Sequence, residues 1–186
     1  MKLSPRFSDA LVFAAELHAD QQRKVTGTPY LAHLLRVAGI ALEHGAGEDQ
    51  AIAALLHDAV EDQGGPAVRD ELRRRFGETV VAIVDGCTDS DRVPKPPWRL
   101  RKEAFLDRLR DASASIRLTV AADKLDNVRS LLRGYREHGE KVWDHFHGGR
   151  DGALWYYRTV VGILKRHDAT PLVEELDRAV TQLENL

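Results

Sequence analysis

A single cysteine in 186 residues, Cys87, excludes an intramolecular disulfide framework and points to a reducing compartment. Net charge is equally scarce: 27 Lys and Arg stand against 29 Asp and Glu, a formal charge of −2. That balance exerts no long-range pull on nucleic acid or an anionic membrane, so a polyanion site has to be a local patch. No apolar run approaches the ~20 residues that span a bilayer. The start, Met1-Lys2-Leu3-Ser4-Pro5-Arg6, lacks the uninterrupted apolar stretch of a signal peptide. The expectation is a cytoplasmic protein that binds neither nucleic acid nor membrane. What is present is a globular composition, 43% hydrophobic and 30% charged, at a length that suits one domain with a sizeable core.

Gly, Pro and short polar clusters cut the chain into helical segments. Ser8 can cap a first helix over 8–22, and Thr26-Gly27-Thr28-Pro29 breaks it. A second helix is expected over 30–45. A third, over 48–62, is apolar nearly all round from Ala51 to Leu56, the pattern of a helix at the centre of a bundle. Amphipathic segments follow up to Phe76 and over 79–84, then a proline-rich loop over 88–97 and another amphipathic segment over 98–111. Ile116, Thr119 and Val120 favour strand locally. Leu118, Ala121, Ala122, Leu125, Val128 and Leu132 keep helical spacing, so 116–132 is expected to be a helix. The segment 134–149 is looser, a helix follows over 152–165, and Thr170-Pro171 opens the last one. The expectation is all-α: one domain over 1–186, with a motif-bearing core of about 9–133 and C-terminal helices over about 134–186.

The strongest chemical feature is Leu55-Leu56-His57-Asp58-Ala59-Val60-Glu61-Asp62. His57 and Asp58 follow six apolar residues and so sit at the margin of the core, where an unpaired charge is expensive. On a continuous helix Glu61 lies one turn beyond His57 and Asp62 one turn beyond Asp58. Three carboxylates and an imidazole then crowd two turns, and a divalent cation offsets their repulsion. Other segments supply partners. His33 lies among Leu31, Leu34 and Leu35; taken alone it reads as a hydrogen-bonded histidine at the core edge. Asp123 interrupts an apolar stripe, alone reads as the partner of Arg36 or Lys124, and has Asn127 over the same face. Together His33, His57, Asp58 and Asp123 make a set of two imidazoles and two carboxylates suited to one Mn²⁺, Fe²⁺ or Zn²⁺ more than to Ca²⁺. Such an ion makes water nucleophilic and polarises a phosphoryl oxygen. Glu61 and Asp62 are then free to orient that water and move its proton.

These residues resemble the four-ligand pattern of the HD-domain phosphohydrolases. Within that superfamily the chain is similar to the hydrolase domains of Rel/Spo enzymes and to the stand-alone small alarmone hydrolases of the stringent response. The matching stretches are Arg23-Lys24 with Gly27-Thr28-Pro29-Tyr30-Leu31-Ala32-His33, then Ala53-Ala54-Leu55-Leu56-His57-Asp58-Ala59-Val60-Glu61-Asp62. Phe76-Gly77-Glu78 with Val80 and Val84, and Ala122-Asp123-Lys124-Leu125-Asp126-Asn127, complete them. The resemblance implies an HD-domain helical bundle and Mn²⁺-dependent hydrolysis of the 3′-pyrophosphate of ppGpp or pppGpp, releasing pyrophosphate and GDP or GTP. It implies His33, His57, Asp58 and Asp123 as metal ligands and Glu61 and Asp62 as the catalytic pair that activates water. It places Arg23 and Lys24 beside the nucleotide and Asn127 at its sugar-phosphate part. The chain stops far short of a synthetase or regulatory region, so a hydrolase working alone is implied.

A substrate with two phosphate clusters needs further cations, and Arg99, Arg101 and Lys102 are candidates. Trp155-Tyr156-Tyr157 reads first as core, Arg73-Arg74-Arg75 as a solvated face, His18 as packing around the site and Cys87 as a bystander. The loop 88–97 and the segment 134–149, with His138, His145 and His147, do not follow the family pattern. They border the place of the base and the distal phosphate, which keeps an adenosine 3′-pyrophosphate analogue or a nucleoside monophosphate open as substrate. A non-catalytic helical module that binds a nucleotide is the third reading. The only partner expected is a small nucleotide, and the sequence leaves homo-oligomer formation open.

Overall fold

A computed structural model describes residues 2–91 and 94–186. Met1, and Arg92 and Val93 of the expected proline loop, lie outside the described residues. The helices are α1 (Pro5–Leu17), α2 (Leu31–Glu43), α3 (Glu48–Leu56), α4 (Ala59–Gln63) and α5 (Gly65–Phe76). They continue with α6 (Glu78–Cys87), α7 (Trp98–Arg110), α8 (Ala114–His138), α9 (Gly149–His167) and α10 (Pro171–Glu184), with a 3₁₀ segment, Gly139–His145, between α8 and α9. Among the described residues the only extended pairing is an isolated bridge between Gln22 and Pro29. The chain is all-α, and among those residues no helix is long and apolar enough to cross a membrane.

Local chemistry accounts for the helix ends. Ser4 accepts a hydrogen bond from Arg6 N and Pro5 takes the first helical position, so α1 starts ahead of the expected Ser8 and ends at Leu17 rather than Gln22. Thr170 caps α10 in the same way through Val173 N, with Pro171 at its first position. Gly77, at φ +86, is the single residue between α5 and α6, a conformation an L side chain rarely adopts. Strand-prone Ile116, Thr119 and Val120 fold inside α8, a 25-residue helix in which Val120, Ala121, Ala122, Leu125 and Val128 are buried. Tertiary burial overrides local propensity there. The division expected near 133 falls within α8, which runs unbroken to His138.

One core runs from Ala10 to Leu183, and α8 packs against α2, α3, α6 and α10. Leu34, Ile52, Leu55, Leu56 and Leu125 are fully buried, at roughly 1.5–3 kcal/mol each by apolar burial. The expected helix over 48–62 is two helices. It breaks at His57 and Asp58, and Asp58 takes the bridge conformation, φ −99 and ψ 0. A straight helix would send two adjacent side chains out about 100° apart. The break lets both face one point, against α2 on one side and α8 on the other.

Candidate active site

The break faces His33 of α2 and Asp123 of α8. His57 Nε2 lies 3.0 Å from Asp58 Oδ2 and 3.6 Å from Asp123 Oδ1. His33 Nε2 lies 3.7 Å from Asp58 Oδ2 and 3.4 Å from Asp123 Oδ1. The two imidazoles meet edge to face with centroids 5.2 Å apart. Donor atoms of His33, His57 and Asp58 all lie within 4.8 Å of one another, close enough to share one ion.

The far side of each ring sets its tautomer. His57 Nδ1 lies 2.9 Å from the Ala54 carbonyl, which can only accept, so Nδ1 carries the hydrogen. His33 Nδ1 donates likewise to Asp126 Oδ2 at 2.6 Å. In the neutral rings both Nε2 atoms therefore present lone pairs, and both are buried without a hydrogen-bond partner. An unsatisfied buried acceptor is costly, and two aimed at two carboxylates fit a divalent cation held by nitrogen and oxygen. Burial lowers the His57 pKa, but Asp58 and Asp123 outweigh it and hold the imidazole well above its usual range. Burial likewise opposes ionisation of Asp58, and His57 outweighs it, so that carboxyl falls below the ordinary aspartate range.

Glu61 and Asp62, on α4, open onto the same place. Glu61 accepts from Lys95 Nζ at 2.9 Å and from Asp89 N at 3.1 Å. Asp62 Oδ2 accepts from Gln21 Nε2 at 2.8 Å, and Gln21 in turn holds His18, whose ring stacks on Tyr30. Burial raises both acids, reinforced by Asp89 and Asp58 for Glu61 and by Asp58 for Asp62. Raised carboxylates suit proton transfer better than ordinary ones.

A cavity of about 450 Å³ lies against this corner. Asp58, Glu61 and Asp62 form its floor, while His33, His57 and Asp123 are buried behind it. Arg23, Lys24, Asn127, Arg101 and Lys102 all line it, so the structure brings the expected substrate contacts together. Arg23 donates to Asn127 Oδ1 at 2.7 Å, and Asn127 donates to Asp123 Oδ1. Arg101 and Lys102 share the buried Asp89 carboxylate at 2.5 and 2.6 Å. Burial opposes ionisation of Asp89, but these cations hold it below the usual range, and the trio keeps a net positive charge.

Arg99 is absent from the lining: it pairs with Glu103 and lies 3.3 Å over the Trp155 ring. Tyr156 and Tyr157 are buried, as the core reading expects, and also line the cavity. His145 and His147 reach the lining and His138 does not. Arg73, Arg74 and Arg75 pair with Asp70, Glu71 and Glu78 at the surface. Of the two partners considered for Asp123, Lys124 bonds it at 2.5 Å, whereas Arg36 pairs with Asp126. Cys87 is partly buried, and burial raises its thiol pKa.

Sequence reasoning missed four residues. Tyr30 donates to Asp58 Oδ2 at 2.6 Å, and Asp126 holds His33. Lys95 reaches Glu61 from the loop, and Trp98 forms part of the cavity wall. Asp126 carried a legible signal, an acid three residues past Asp123 facing the His33–Arg36 spacing on α2. Lys95 carried none, because a loop has no period.

Residues 10–154 match the HD domain family. A zebrafish protein named guanosine-3′,5′-bis(diphosphate) 3′-pyrophosphohydrolase MESH1 is 40% identical over 139 residues, 72% of this chain and 74% of that protein. A guanosine-3′,5′-bis(diphosphate) 3′-pyrophosphohydrolase of Aquifex aeolicus is 36% identical over 136 residues, 72% of this chain but only 19% of that longer protein. A solved structure described as a metazoan ortholog of SpoT that hydrolyzes ppGpp superposes with a TM-score of 0.81 at 28% identity, covering 100% of this chain and 99% of that one.

Proposed function

The chain belongs to the HD-domain family, and on that premise we propose that it is a metal-dependent hydrolase that cleaves the 3′-pyrophosphate from ppGpp or pppGpp. The products are pyrophosphate and GDP or GTP. The observation that carries the reading is the pair of buried, unpartnered Nε2 atoms of His33 and His57 facing Asp58 and Asp123, beside a cavity that carries two raised carboxylates and several cations. The relatives' names supply the substrate, and the cavity's chemistry suits it.

His33, His57, Asp58 and Asp123 would hold one divalent ion; their mixed nitrogen and oxygen donors without thiolate suit Mn²⁺, Fe²⁺ or Zn²⁺, and the resemblance to Rel/Spo hydrolases favours Mn²⁺ among them. When bound, that ion supplies Lewis acidity toward a phosphoryl oxygen and makes water more acidic. Glu61 takes the proton of the attacking water as its oxygen bonds to the phosphorus on the 3′ oxygen. That P–O bond breaks, and the proton returns to the 3′ oxygen as pyrophosphate leaves. Asp62, tied to Gln21, orients the water. Lys95, Arg101 and Lys102 offset the charge of the phosphates. Arg23, which is planar and held by Asn127, and Lys24 bind the nucleotide end. The same reading takes residues 1–186 as one domain working in the cytoplasm, supported by the single core and the lone cysteine.

The test is direct. Mn²⁺-loaded protein incubated with ppGpp is expected to release pyrophosphate and GDP in equal amounts. No pyrophosphate with Mn²⁺ present overturns the proposal. Turnover of a nucleoside monophosphate or an adenosine 3′-pyrophosphate, but not of ppGpp, transfers the activity to that substrate.

A further inference from the structure

Asp126 stands behind the metal corner and is 1% exposed. Three N–H donors converge on its carboxylate. His33 Nδ1 lies 2.6 Å from Oδ2, Arg36 Nε 2.5 Å from Oδ1, and Arg36 Nη2 3.2 Å from Oδ2. A carboxylate serves all three because both oxygens accept and neither donates. Arg36 comes from the same helix as His33, one turn on, so one face of α2 supplies every donor. Arg36 is also the cation paired with this buried charge.

From this arrangement we infer that Arg36 and Asp126 act as a positioning pair, which holds His33 in the tautomer whose Nε2 is free to bind the metal. With Nδ1–H given to Asp126, the lone pair stays on Nε2, buried, unpartnered and 3.4 Å from Asp123 Oδ1. The bond also fixes the plane of the ring. Arg36 matters because it grips both oxygens, so Asp126 cannot turn away from the imidazole. The inference deepens the proposed function and rests on His33 being a metal ligand.

A carboxamide at this position makes a sharp test. Asn has one acceptor oxygen where three donors wait. If that oxygen goes to Arg36, the amide NH₂ faces His33 Nδ1, and Nδ1 has to accept. The imidazole hydrogen then moves to Nε2, which can no longer coordinate. Removing Arg36 as well frees the amide oxygen to turn back to His33.

The experiment measures Mn²⁺ binding by titration calorimetry in the wild-type protein, Asp126→Asn, Arg36→Met and the double variant. Melting curves of the metal-free proteins check that each is folded. Asp126→Asn is expected to weaken Mn²⁺ binding about 10- to 100-fold, the range for residues that orient a metal ligand. Arg36→Met is expected to weaken it by roughly three- to fivefold, less than Asp126→Asn, since Asp126 still accepts from His33 but is freed to turn. The double variant should regain most of the loss, which a merely structural role would not produce. Equal affinity in Asp126→Asn and wild type overturns the inference, and so does a double variant as weak as Asp126→Asn. A measurement free of variants stands beside it: Zn²⁺-loaded wild-type protein should show a slowly exchanging Nδ1–H resonance for His33 in proton NMR, and its absence also overturns the inference. If wild-type protein takes up no Mn²⁺ at all, the metal reading itself fails and the inference falls with it. Uptake by wild type with no effect of Asp126→Asn sinks the inference alone.

Discussion

Tyr30 donates its phenolic hydrogen to Asp58 Oδ2 at 2.6 Å, joining the residue that precedes α2 to the break between α3 and α4. Burial, then Asp58 itself, raises the phenol pKa, so the group remains a donor throughout the useful pH range. The same oxygen faces both imidazoles. Tyr30→Phe removes a bond that aims this carboxylate. The expected result is roughly tenfold weaker Mn²⁺ binding, at the low end for a residue orienting a ligand, with a stability loss of about 1–2 kcal/mol. Calorimetric titration and urea melts measure the two. Unchanged affinity would show that Tyr30 does not orient the ligand.

Asp58→Ala and Glu61→Gln separate binding from chemistry. The first is expected to strip the metal and with it all turnover. The second should keep the metal and lower turnover by ~10²–10⁴, the range for a general acid–base group. Metal content by elemental analysis, set beside rates of pyrophosphate release, checks both. Equal metal loss in the two variants would mean the roles are misassigned.

The pH profile follows from Glu61, which has to be ionised to accept a proton. Burial, Asp89 and Asp58 raise its pKa, while Lys95 pulls it back. Turnover should therefore decline as pH falls through a value above the ordinary glutamate range. Lys95→Met removes a cation that lowers this pKa, so the acid limb of the profile moves to higher pH. A limb that stays put, or moves to lower pH, rejects Glu61 as the titrating base.

Gly148 and Gly152 cradle the Trp98 ring. A Cβ built on Gly148 would lie 2.7–2.9 Å from indole atoms, closer than real contacts allow. Gly148→Ala is expected to cost ~1–3 kcal/mol, the usual penalty of overpacking. It should also raise KM, since Trp98 walls the cavity. In a Trp98→Leu background the same substitution should cost far less. A double-mutant cycle from denaturant melts reads the difference, and additive losses would remove Trp98 as the cause.

Helix identity was legible wherever apolar spacing ran long enough. Residues 116–132 show it best: a few β-branched residues argued for strand, and the period of Leu118, Ala121, Leu125 and Val128 outweighed them. The convergence of His33, His57, Asp58 and Asp123 was legible because charge inside an apolar stripe needs a reason. The interruption at His57 was not, since Leu-Leu-His-Asp-Ala-Val-Glu-Asp contains no helix breaker. Its cause is tertiary, the demand that two adjacent side chains face one point between α2 and α8. The early start of α1 was written in Ser4-Pro5, a cap followed by proline, and Ser8 competed with it. Lys95 and the sharing of Asp89 by Arg101 and Lys102 depend on how a loop lies across the bundle, and no local pattern encodes that.

The corner between α2, α3 and α8 spans His33 to Asp123 along the chain. Biosynthesis delivers the first three of its four members long before the last. A growing polypeptide that has not yet brought α8 onto α2 has no closed nest for an ion, because Asp123 is still missing from it. On the proposed function, loading is tied to completion of the bundle, so metal uptake followed during refolding would serve as a clock for the moment the final wall swings shut.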